Sequence, residues 1–147
     1  MPHAAWRAMI RAVYRWVDHT AELELAIEAA SAEAVIAEAA AALRELLVGG
    51  DARDGSGEPA GARVVEVAAG DRAALLAAFV EELVFLAESE ALVPTAVRAV
   101  ELGATRLRAE VELERGDPPH LVKAVTYHRL AFEPAGDGYR ATAVLDV

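Results

Sequence analysis

The chain has no cysteine. That excludes disulfides, thiolate nucleophiles and cysteine-ligated zinc or iron–sulfur centres. It is compatible with the cytoplasm, the compartment expected here. Long hydrophobic runs are missing too. None reaches the length of a membrane-spanning helix, so no membrane partner is expected. Positive charge is scarce: 14 Lys and Arg stand against 24 Asp and Glu, for a formal net charge of −10 at pH 7. Phosphate backbones are held by clusters of Lys and Arg, so direct nucleic-acid binding is not expected. If RNA or DNA is involved, a basic partner holds it. The same charge favours a basic protein surface or a cation. Enzyme signatures are absent as well. There is no glycine-rich phosphate loop and no Gly-x-Ser-x-Gly nucleophile elbow. His120 and His128 are not at the spacing of a zinc helix. Ser31, Ser56 and Ser89 sit in cap or loop contexts.

What is present is enough for one domain with a real core: 147 residues, 55% of them hydrophobic, much of that alanine. Met1 to Arg11 has basic residues but no apolar h-region, which argues against a signal peptide. Residues 1–13 read as an N-terminal extension, disordered or strand-extending, with Met9 as an alternative start. Residues 14–147 read as a single domain.

From Glu22 to Glu28 the pattern alternates, with Leu23, Leu25 and Ile27 on one face and glutamates on the other, as in a half-exposed strand. Ser31 reads as an N-cap. Val35, Ile36, Ala39, Leu43, Leu46 and Leu47 then recur at helical spacing until Gly49-Gly50 stops the helix. Asp51 to Ala62 reads as a loop and Arg63 to Ala68 as a second strand. Asp71 caps a second helix with the stripe Leu75, Leu76, Phe79, Leu83 and Leu86, ending near Ser89. Four strands follow: Ala96–Leu102, Arg106–Arg115, Val122–Phe132 and Tyr139–Val147. The expected class is α+β, an antiparallel-rich mixed sheet with two helices packed on one face.

Two acidic segments stand far apart in sequence: Val17-Asp18-His19-Thr20-Ala21-Glu22 and Val144-Leu145-Asp146-Val147. Ca²⁺ and Mg²⁺ require hard oxygen ligands, which these segments supply if the fold brings them together. The plainer reading is a turn at Asp18–Thr20, with side chains bonding nearby backbone, and a solvated strand carboxylate at Glu22. Asp146 beside the terminal carboxylate is either a frayed, solvated end or a pair of like charges relieved by a cation or a basic residue. In Val122-Lys123-Ala124-Val125-Thr126-Tyr127-His128, a regular strand puts Lys123 in step with Val125 and Tyr127. Lys123 is then either a snorkelling edge lysine or an ammonium partnered by those carboxylates. His128 is not read as a ligand.

Three of these segments together resemble the archease family. Tyr14-Arg15-Trp16-Val17-Asp18-His19-Thr20-Ala21-Glu22 is similar to its aromatic-x-x-x-Asp/Glu-His-Thr-Ala-Asp motif. Lys123-Ala124-Val125-Thr126-Tyr127-His128 resembles its Lys-Ala-Val-Thr-Tyr-His motif, and Leu145-Asp146-Val147 its Asp-Val ending. The resemblance implies a non-enzymatic accessory protein that activates an RtcB-type RNA ligase. It promotes guanylylation and multiple turnover of a ligase that uses GTP and Mn²⁺, in tRNA splicing or RNA repair. An older alternative is a chaperone or modulator of a tRNA methyltransferase. The resemblance also implies a metal site at Glu22, Asp146 and Val147. Its ion is Ca²⁺, with Mg²⁺ or Mn²⁺ as alternatives. On the same resemblance Asp18 is expected either to orient the site from behind the ligands or to serve as the alternative ligand. Lys123 contacts the ligase or holds the acidic cluster. Glu22 departs from the family pattern, standing where Asp is usual with one methylene more.

Overall fold

The computed structural model describes residues 12–19, 21–48, 57–116 and 122–147. Seven strands and two helices follow one another: β1 (Ala12–His19), β2 (Glu22–Ala29), α1 (Ala32–Val48), β3 (Pro59–Ala68), α2 (Arg72–Glu90), β4 (Leu92–Leu102), β5 (Arg106–Arg115), β6 (Ala124–Ala135) and β7 (Gly138–Asp146). The class is α+β, as expected. The strands divide between two sheets, β1-β2-β7-β6 and β3-β5-β4, and every ladder among the described residues is antiparallel. The helices touch strands of both sheets.

Alternation decides which face each strand buries. In the first sheet Leu25, Ile27, Ala141, Ala143 and Leu145 are buried. In the second, Leu107, Ala109, Val111 and Leu113 are buried, while Arg106, Arg108 and Glu110 between them are exposed. All the helix stripe residues expected from spacing are buried except Leu46, which is half-buried. Both caps form: the Ala34 N–H donates to Ser31 Oγ at 3.1 Å and the Ala74 N–H to Asp71 Oδ1 at 2.8 Å. Ala32, Ala39, Ala40 and Ala42 line the buried side of α1, where small side chains allow close approach to its neighbours. The expected stop at Gly49-Gly50 and most of the loop before Ala62 lie outside the described residues.

Beyond the division into two sheets, where one mixed sheet was expected, three features depart from the sequence reading. A strand, β1, precedes the first one expected, and it pairs along its whole length with β2, from Ala12 opposite Ala29 to His19 opposite Glu22. Ala12 and Val13, assigned above to the extension, belong to it. Asp18 and His19 are strand residues, and the turn lies after them. Second, β4 starts at Leu92 and runs through Pro94. Proline is tolerated there because β4 is an edge strand. Third, β6 does not alternate regularly. Thr126 pairs with Val144 and Ala131 with Thr142, so Tyr127, His128, Arg129 and Leu130 together stand opposite Ala143. This broad bulge separates Val125, which is buried, from Tyr127, which is 65% exposed.

Candidate functional site

The site grows from the register of three strands at one end of the first sheet. Residues directly opposite in an antiparallel pair point to the same face. His19 lies opposite Glu22, Glu22 opposite Asp146, and Ala124 opposite Asp146. These four form one cross-strand row on the face away from the helices. The next row is Val17, Glu24, Val144 and Thr126. Two backbone bonds close the end of the sheet. The Lys123 N–H donates to the Asp146 carbonyl at 2.8 Å, and the Val147 N–H donates to the Ala21 carbonyl at 3.3 Å. The three segments singled out in the sequence therefore meet.

Glu22 and Asp146 are both half-buried and directly opposed. Like charges in that relation are destabilising. A cation relieves them, and Arg129 brings one to the Glu22 side of the pair. Its Nη2 stands 3.5 Å from Glu22 Oε2 and its Nε 3.4 Å from Glu24 Oε1. The same Glu24 oxygen is 3.4 Å from His19 Nε2. Arg129 starts on β6 and ends on β2, so its side chain crosses β7, which lies between them. Val144, on this face of β7, is 0% exposed.

The expected site residues are placed as follows. Glu22, Asp146 and Val147 come together. Asp18 does not join them by register: it lies opposite Leu23, on the other face of the sheet. Lys123 reaches the site through its backbone, while its side chain is exposed. It precedes the first residue of β6, so it does not share a buried stripe with Val125 and Tyr127. The ion-pair partner of Glu22 is Arg129 rather than Lys123. Sequence reasoning missed both His19 and Arg129. The Asp-His pair sat in what read as a turn, and Arg129 reaches the row only through the β6 bulge.

Among the described residues no group of three or more His, Asp or Glu side chains is arranged to hold a metal ion. The donor chemistry nevertheless fits a hard cation: two carboxylates share one face, with the backbone of Ala21 and Val147 beside them. Ca²⁺ takes six to eight oxygens, so backbone and water would complete such a set.

Residues 14–147 match the archease protein family (MTH1598/TM1083). The chain belongs to the archease family. It is 35% identical over 135 residues to the archease of Thermococcus gammatolerans, covering 84% of this chain and 92% of that one. It is 29% identical over 143 residues to the archease of Methanosarcina barkeri, covering 91% and 95%. Its fold is similar to the solution structure of protein 1598 of Methanobacterium thermoautotrophicum, with a TM-score of 0.74 at 24% identity over 91% of this chain and 98% of that one. The crystal structure of an archease of Thermotoga maritima, described as a possible chaperone, matches with a TM-score of 0.56 at 20% identity, over 92% and 98%. All three archease-like motifs fall inside the matched span. No helix among the described residues is long and apolar enough to cross a membrane.

Proposed function

We propose that this archease is a non-catalytic accessory protein that activates an RtcB-type RNA ligase, in tRNA splicing or RNA repair. It does so with a divalent cation, Ca²⁺ or else Mg²⁺ or Mn²⁺, held at Glu22, Asp146 and Val147. The observation that carries this reading is the pairing of Glu22 with Asp146 across β2 and β7. Two directly opposed carboxylates gain nothing in stability from each other, so their juxtaposition is best understood by what they bind. The cation would supply positive charge and ligand exchange at a partner's active site. The protein's own part is to present it on a rigid sheet end.

Two further observations support a protein partner. The net charge of −10 disfavours direct contact with RNA and favours a basic surface. Lys123, the only lysine in a chain that otherwise uses arginine, is exposed and tied by its backbone to Asp146. In this reading it contacts the ligase. A second reading, a chaperone or modulator of a tRNA methyltransferase, is favoured by the description of the Thermotoga maritima relative as a possible chaperone.

The deciding experiment is multiple-turnover RNA ligation by the cognate ligase at substoichiometric concentration, with and without this protein. Stimulation is expected, and Asp146→Ala is expected to abolish it with circular dichroism unchanged. Full stimulation by Asp146→Ala would remove the cation site from the mechanism. No stimulation by the wild type would move the chaperone reading forward.

A further inference from the structure

We propose that Arg129 is the resident counter-cation of Glu22, and that a divalent cation binds the Glu22–Asp146 row by displacing it from Glu22. This rests on the cation reading above and adds a residue to it that the sequence motifs do not contain.

Four observations converge on Arg129. It sits at the centre of the β6 bulge, where Tyr127 to Leu130 stand opposite the single residue Ala143. Its φ is 58°, a left-handed conformation that a long side chain adopts rarely and at a cost. Its guanidinium crosses an entire strand to reach β2. Once there it has two carboxylate seats, Glu22 at 3.5 Å and Glu24 at 3.4 Å. Only the first of these belongs to the row that contains Asp146. The second lies in the neighbouring row, where His19 also approaches.

This arrangement makes displacement easy. Guanidinium and metal draw on the one Glu22 carboxylate, which Arg129 holds through Oε2, and the repulsion between the two cations opposes their sharing it. A hard dication attracts a pair of opposed carboxylates more strongly than one delocalised charge at 3.5 Å. The pair that must break is partly solvated, with side-chain exposures of 43% for Arg129 and 35% for Glu22, so breaking it is not costly. Arg129 keeps the Glu24 seat after leaving Glu22. The bulge then has one tether fewer, and the exposed Tyr127 beside it is freer to move. Cation loading is thereby coupled to the mobility of the surface next to Lys123.

The test is calorimetric titration of the full chain with CaCl₂, MgCl₂ and MnCl₂ at low ionic strength, comparing wild type, Arg129→Gln and Arg129→Lys. Arg129→Gln is expected to bind about 1.5- to fivefold more tightly, the range for one partly exposed ion pair. Arg129→Lys, which keeps the charge, is expected to stay close to wild type. A residue with a merely structural role would move affinity the other way, because its loss would loosen the site. Hydrogen exchange on the wild type gives an independent readout. Amides of residues 127–130 are expected to exchange faster when the metal is added.

Unchanged or weaker binding by Arg129→Gln, with metal bound by the wild type, would overturn the displacement and leave the cation site standing. So would unchanged or slower exchange at 127–130. No binding by any of the three proteins would remove the cation site and the displacement together.

Discussion

Glu38 lies on α1, where burial pushes the pKa of its carboxyl upward from the ordinary value. The folded chain therefore holds this proton more tightly than the unfolded chain. The associated stability is fullest below the unfolded pKa and is lost as pH rises through the carboxylate range to the raised folded value. Glu38→Gln removes the penalty. Thermal unfolding is expected to show the variant more stable than wild type at pH 7, with the difference closing as pH falls below the carboxylate range. An equal difference at both pH values would mean that ionisation is not its source. The candidate site was legible at this scale only in part. Glu22 falls on the polar face by simple alternation from Leu23, Leu25 and Ile27. Asp18 and His19 are adjacent in sequence, and the pleat sends them to opposite faces. Only the register with β2 shows that His19 is the one beside Glu22.

Among the elements, α2 shows how local chemistry and tertiary context share the work. Its start is written in Asp71 and its buried stripe in the leucines. Its end is less obvious. Ala91 closes the helix in the left-handed region with φ 55°, its N–H donating to the Leu86 carbonyl. Glycine is the usual residue there, because an L side chain is strained in that conformation. Ala91→Gly is expected to stabilise the protein by about 0.5–1 kcal/mol, the relief of strain exceeding the entropy that glycine adds to the unfolded chain. Urea unfolding measures it, and a loss of stability would show that the cap is not strained. Strand β1 escaped the sequence reading because Arg15 and Asp18 interrupt its apolar pattern and a half-exposed edge strand needs little hydrophobicity. The β6 bulge escaped it because a left-handed arginine has no local signature.

At the scale of the whole molecule, a buried ion pair links the second sheet to α1 alongside the apolar core. Arg44 on α1 and Glu114 on β5 approach to 2.6 Å with side-chain exposures of 12% and 7%. Arg44 also donates to the Pro94 carbonyl on β4 at 3.2 Å. Removing one partner of a buried pair strands the other charge in a poorly solvated place. Glu114→Ala is expected to cost about 3–5 kcal/mol in chemical denaturation. Replacing both residues by apolar ones of similar volume is expected to cost much less. If Glu114→Ala costs under about 1 kcal/mol, the pair is solvated enough to count as a surface contact. Neither residue stands out in sequence, since each looks like one more charge in an acidic, arginine-bearing chain.

By itself the sequence determined the α+β class, both helices with their caps and stripes, and the motifs that mark an archease. The class and the helices follow from periodicities of 3.6 and 2 and from local hydrogen bonds, all of which act over a few residues, whereas the motifs are read by their resemblance to the family. The tertiary structure decided the division into two sheets, the strand at the N-terminal side, and the register that sets Glu22 against Asp146. It also decided that an arginine from a bulge, and not the lysine of the motif, pairs with Glu22. Those outcomes depend on which strand lies beside which. Pairing between residues more than a hundred positions apart leaves no periodic trace in the chain.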